Sequence, residues 1–162
     1  MSPERIFQLH LVLGYGAWLL CFGAYIWPWL QRMGRMEALR AIATLHSFRF
    51  FGLAFIVPGV VGPDLPQRFA LYAAYGDLAT GLLAMAALLA YRRRPFGFFV
   101  LAFNLVGAAD FLSDYFHAVQ AGLPALSGQL GALYAVPVLS VPLLMITHFA
   151  AFRLMMRKEA AA

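Results

Sequence analysis

Long apolar runs separated by short polar intervals dominate this chain, and five of them have the length of a membrane span. A hydrocarbon core about 30 Å thick needs about 20 apolar residues in a helix. The first run covers residues 6–30 and ends in Tyr25, Trp27 and Trp29, a group suited to the headgroup level. The stretch QRMGRMEALRA follows, and its Met33, Met36 and Leu39 predict a helical turn lying along the interface. The second span covers residues 41–61 and stops at VPGVVGPDLP, where Pro58, Pro63 and Pro66 remove backbone donors. The third covers residues 69–91 and is closed by Arg92, Arg93, Arg94 and Pro95. The fourth and fifth, residues 96–119 and 130–152, are joined by GLPALSGQ.

The expected fold is an all-helical integral membrane bundle of five spans forming a single domain. Composition agrees: 63% of the 162 residues are hydrophobic and 12% are charged, against about 45–50% and about 25% in soluble domains. The Lys/Arg distribution sets the expected orientation. Arg32, Arg35, Arg40, Arg92, Arg93, Arg94, Arg153, Arg157 and Lys158 fall on one side, and only Arg5 and Arg68 on the other. The first side is therefore expected in the cytoplasm and the N-terminus outside, an arrangement open only to an odd number of spans. An odd number also argues against a simple two-fold internal repeat, so symmetry would have to come from a homo-oligomer. The first run is read as a retained span, because no small-residue cleavage site follows it.

Charge and cysteine content exclude some functions. The net charge is +5, but the basic residues sit at the ends of apolar runs and do not form one polar face, so nucleic acid is not an expected partner. Cys21 is the only cysteine, which excludes an internal disulfide and any cysteine-based zinc or iron–sulfur site. No Ser–His–Asp order or metalloprotease spacing is present to suggest an enzyme acting on lipid.

The chemistry is expected from polar residues within the spans: Arg49, Asp77, Asn104, Asp110, Asp114, His10, His46, His117 and His148. Ionisable groups at membrane depth need partners or water. Arg49 cannot lose its proton, and Asp77 is its expected counter-charge. Depths counted at about 1.5 Å per residue place His46 level with His148 towards the cytoplasmic side, and His10 level with His117 towards the outer side. Asp110, Asp114 and His117 fall on one stripe of the fourth span, and Asn104 is turned away from it towards Arg49. On the fifth span, Pro137 and Pro142 each free a carbonyl. Gly14, Gly16, Gly23, Gly76, Gly81 and Gly107 offer close helix contacts or room beside a cofactor.

These residues leave several readings open. A small-ligand or ion site for transport, sensing or cofactor holding would use His46, Arg49, Asp77, Asn104, Asp110 and His148, with Arg49 as the anion-binding group. The alternative for His46, Arg49, Asp77 and Asn104 is a buried polar clamp that fixes the helices and binds nothing; the ligand or ion site is favoured, because a charge cluster within the membrane points to function. Electron transfer through b-type haem would use His46 with His148, with His10 and His117 as a candidate second pair. A divalent metal could be held by His10, Asp110, Asp114 and His117, against the alternative of a water-filled outer vestibule. A non-catalytic subunit or assembly factor of a larger membrane complex is a further alternative.

The segments LHSFRFFGLAF, YGDLATGLLA, FNLVGAADF and VPLLMITHFAAF together resemble a family of small bacterial five-helix inner-membrane proteins. The resemblance covers nearly the whole chain and implies no activity. It implies a bacterial setting and a common polar core of His46, Arg49, Asp77, Asn104, Asp110 and His148, to which His10 and His117 do not belong.

Overall fold

The computed structural model describes residues 1–157. Lys158, counted above among the basic residues, lies outside the described residues. Those described residues form helices and turns with no strand. Five helices are long and apolar enough to cross a membrane: α1 Pro3–Arg32, α2 Arg35–Ile56, α3 Gln67–Leu89, α4 Phe96–Gln120 and α5 Val136–Met155. A 3-10 segment, Ser127–Tyr134, precedes α5.

Local sequence explains where the helices bend. α1 starts on the Ser2 cap with Pro3 in its first turn, and it widens to a π turn over Phe22–Ile26 ahead of Pro28, whose ring would otherwise press on the carbonyl one turn back. α5 repeats the device, with a π turn over Val136–Ser140 ahead of Pro142. Pro142 has no N–H to give Val138, and α1 comes in at that point: a Cβ on Gly14 would overlap the Val138 carbonyl oxygen. The glycine lets α1 lie directly against the carbonyl that the proline frees. His10 adds a 2.9 Å bond to Tyr134, and Tyr15 a 2.6 Å bond to Tyr115 on α4.

α2 begins at Arg35, six residues before the expected span, so residues 35–41 of the connector are the first turns of that helix. Leu39 is 5% exposed and packs inward with Ala38 and Ile42; the break at Met33–Gly34 is short enough for the chain to reverse at once. From Ser47 to Ile56 the helix tightens to 3-10 geometry. Three residues per turn place every third side chain on one row, and His46, Arg49, Gly52 and Phe55 are all buried on it.

α3 lies between α2 and α4, burying residues at spacings of three and four along its length, from Phe69 to Ala87. Two apolar clusters fill the bundle. One, at the basic end, includes Leu30, Ile42, Phe103 and Leu154; the other, at the opposite end, includes Phe7, Phe55, Phe69 and Leu130. The buried polar residues belong to neither cluster. Those on α2 to α5, His46, Arg49, Asp77, Asn104 and His148 among them, form a layer joined by hydrogen bonds and ring contacts.

Candidate functional site

Arg49 sits in the middle of this layer with 1% of its side chain exposed. Its Nε donates to Asp77 Oδ1 on α3 at 2.5 Å, and its Nη2 donates to Asp110 Oδ2 on α4 at 2.5 Å. Nη1 donates to the Gly107 carbonyl at 3.4 Å and to His148 Nε2 on α5 at 3.2 Å. The guanidinium face lies over the Phe111 ring, 3.9 Å from its centroid. One residue of α2 thereby ties α3, α4 and α5 together.

The hydrogen-bond directions fix both buried imidazoles. Arginine can only donate, so His148 Nε2 must accept, and its proton lies on Nδ1. That proton goes to Asn104 Oδ1 at 2.9 Å, while Asn104 Nδ2 donates to the Val100 carbonyl at 2.8 Å. Thr147 Oγ1 gives its own proton to the carbonyls of Leu143 and Leu144. It therefore accepts from His46 Nε2 at 3.0 Å, which leaves His46 Nδ1 as a buried lone pair without a partner among the described residues.

Three glycines make room for this arrangement. A Cβ on Gly52 of α2 would overlap the Asp77 carboxylate, one on Gly76 of α3 would overlap Asp110, and one on Gly107 of α4 would meet His148 and Arg49. Each polar side chain rests on a glycine of the helix before it in the chain. A larger residue at any of the three would push the acceptor or imidazole away from the guanidinium.

The expected pairing of Arg49 with Asp77 is present, and Asp110 joins it as a second carboxylate. Asn104 does not reach Arg49; its partner is His148. His46 and His148 do come together at one level, but as rings in contact, with centroids 4.1 Å apart. A porphyrin cannot enter between rings at that distance, and both His148 nitrogens are already committed. The haem reading on this pair therefore does not fit the geometry. Nor do His10 and His117 share a site: His10 bonds to Tyr134, while His117 stacks on Tyr72 at 4.3 Å and donates from Nδ1 to the Ser113 carbonyl at 2.8 Å.

The proposed metal set also disperses. Asp110 is bound to Arg49, His10 and His117 have the partners just given, and no group of three or more His, Cys, Asp or Glu among the described residues could hold a metal ion. The stripe of α4 is real as a direction, but neighbouring helices divide it. His117 turns to the α3 side, and Asp114 faces a cavity.

That cavity, of about 110 Å³, lies between the helices at the end away from the basic residues, with Asp77 and Asp114 in its wall. Asp114 Oδ1 is buried and has no hydrogen-bond partner among the described residues. The sequence reading missed Gly52, Phe111 and Thr147 as parts of the core. Gly52 and Thr147 carried a signal, one three residues beyond Arg49 and the other beside His148. Phe111 carried none that separates it from the other phenylalanines.

No curated protein and no solved structure matches the chain. Residues 6–156 match the family model described as Domain of unknown function (DUF8737), and the chain belongs to that family.

Proposed function

We propose that this protein is a multi-pass protein of a bacterial inner membrane whose buried polar layer binds a proton or small cation, in the service of transport or sensing. The supporting observation is a mismatch of charge. Asp77 and Asp110 both contact the single Arg49 guanidinium, and Asp114 stands one turn beyond Asp110. With all three carboxylates ionised, two negative charges would be uncompensated in a dry site, and protons or a cation must balance them. Arg49 is better read as a fixed internal counter-charge than as an anion receptor. Four of its five N–H groups are already used, so an anion would have to displace a carboxylate. The basic end of the bundle faces the cytoplasm in this reading, and the N-terminus lies outside.

The test uses the full-length protein in lipid vesicles. Its infrared spectrum should contain the C=O stretch of protonated carboxylic acids, titrating with pH or displaced by a monovalent cation, and Asp110→Asn should remove part of that signal. Vesicles loaded with a pH-sensitive dye should also exchange protons faster than empty ones under a membrane potential if the site serves transport. A carboxyl band that responds to neither pH nor cations would remove the reading.

A further inference from the structure

We propose that the cleft at the basic end of the bundle, between the last turns of α1 and α5, is a binding site for the headgroup of an anionic phospholipid. The inference goes beyond the reading of the polar layer and shares only the membrane setting with it.

The cleft, of about 290 Å³, is lined by Trp27 and Gln31 of α1 and by Arg153, Leu154, Met156 and Arg157 at the end of α5. No Asp or Glu among the described residues is in its wall, so the charge there is of one sign. Arg157 holds the end of α1: its Nη1 donates to the Gln31 carbonyl at 3.5 Å and its Nη2 to the Met33 carbonyl at 3.1 Å. Arg35 of α2 donates in turn to the Arg157 carbonyl at 3.3 Å. Carbonyls at helix C-termini carry partial negative charge and would repel an anion; these bonds offset it at Gln31, Met33 and Arg157. Arg153 is the group left over. Its guanidinium lies over the Trp27 ring, 5.3 Å from the centroid, the residue is exposed, and it makes no hydrogen bond to a described residue.

The wall decides both the charge and the source of the ligand. Guanidinium groups suit phosphate oxygens through charge-assisted hydrogen bonds, and a metal ion or an ammonium would be repelled. A free phosphate has no use for the remainder of the wall, the Trp27 ring with Leu154 and Met156, whereas a phospholipid covers it with glycerol and the upper acyl carbons. Both helices beside the cleft are long and apolar enough to cross a membrane, and they end beside it, at Arg32 and Met155. A phosphodiester is the group that a bilayer presents at the end of a span, and basic pockets between spans hold anionic headgroups. Room is sufficient. A cavity of about 150 Å³ accommodates benzene, and this cleft, of about 290 Å³, takes a phosphodiester and the adjoining glycerol.

The test is calorimetry on the full-length protein in micelles of a zwitterionic detergent. It is titrated with dihexanoyl-phosphatidylglycerol, with dihexanoyl-phosphatidylcholine and with inorganic phosphate, each corrected for its heat with empty micelles. The anionic lipid should bind saturably, about tenfold more tightly than the zwitterionic one, whose choline the arginines repel. Arg153→Gln, at an exposed position, should weaken that binding about tenfold, and Gln31→Glu, which puts a carboxylate into the wall, should abolish the preference. Arg94→Gln removes the same charge from the exposed turn between α3 and α4 and should leave binding within about twofold. Absence of saturable binding by the folded protein, equal binding of the two lipids, or equal weakening by Arg153→Gln and Arg94→Gln would overturn the proposal, the last because the attraction would then be diffuse. Inorganic phosphate binding as tightly as the lipid would overturn the lipid as the occupant. None of these outcomes depends on a carboxyl band or a proton flux, so this site can fail with the reading of the polar layer intact, and the reverse.

Discussion

Replacing Arg49 with methionine is the perturbation that bears most directly on the polar layer. The side chain keeps its length and loses its charge and all its donors. Asp77 and Asp110, with side chains only 12% and 8% exposed, then face each other across an apolar gap. Removing one member of a buried ion pair destabilises by about 3–5 kcal/mol, because the remaining charge stays buried and unpaired. The Gly107 carbonyl and His148 Nε2 lose a donor as well. Arg49→Met should therefore lower stability by at least about 3 kcal/mol, a factor of roughly 10² or more in the folded-to-unfolded ratio. The assay is reversible unfolding in mixed micelles of mild detergent and dodecyl sulfate, followed by tryptophan fluorescence. The same reasoning requires rescue. Adding Asp77→Asn and Asp110→Asn removes the unpaired charges, and the triple variant should recover more than half of the loss. An Arg49→Met protein within about 1 kcal/mol of wild type, well under the expected loss, or a triple variant no more stable than the single, would refute the ion-pair account.

Other substitutions check other parts of the arrangement. Gly52→Ala and Gly76→Ala each put a methyl group into a carboxylate of the layer and should destabilise by about 1–3 kcal/mol; Gly97→Ala, which meets open space, should stay within about 0.5 kcal/mol in the same unfolding assay. His148→Leu strands Arg49 Nη1 and Asn104 Oδ1 and should lower stability by about 1–3 kcal/mol for each group left unsatisfied, whereas His148→Gln, which can still accept and donate, should lose less. Tyr15→Phe removes the hydroxyl that joins α1 to Tyr115 and should cost about 1 kcal/mol, measured as faster proteolysis or exchange within α1 and not elsewhere.

Hydropathy by itself determined the number and approximate limits of the five helices, because runs of about 20 apolar residues closed by prolines and arginines admit few other readings. It also marked out the residues that needed partners, since a charge in an apolar run must be paired wherever it lies. Arg49 with Asp77, and His46 level with His148, followed from depth alone. Depth says nothing about rotation, however, and rotation decided the rest. The 3-10 pitch of α2 kept His46, Arg49, Gly52 and Phe55 on one straight row, where a pitch of 3.6 residues per turn would drift by about 60° at each step of three. The neighbours of α4 divided the Asp110–Asp114–His117 stripe among Arg49, a cavity and Tyr72, so the expected metal set never converges. Helix separation closed the space between His46 and His148 that a porphyrin would need. The sequence fixes which side chains must find company inside the bundle; the three glycine contacts, where a missing Cβ brings one helix onto the polar group of the next, select the company they keep.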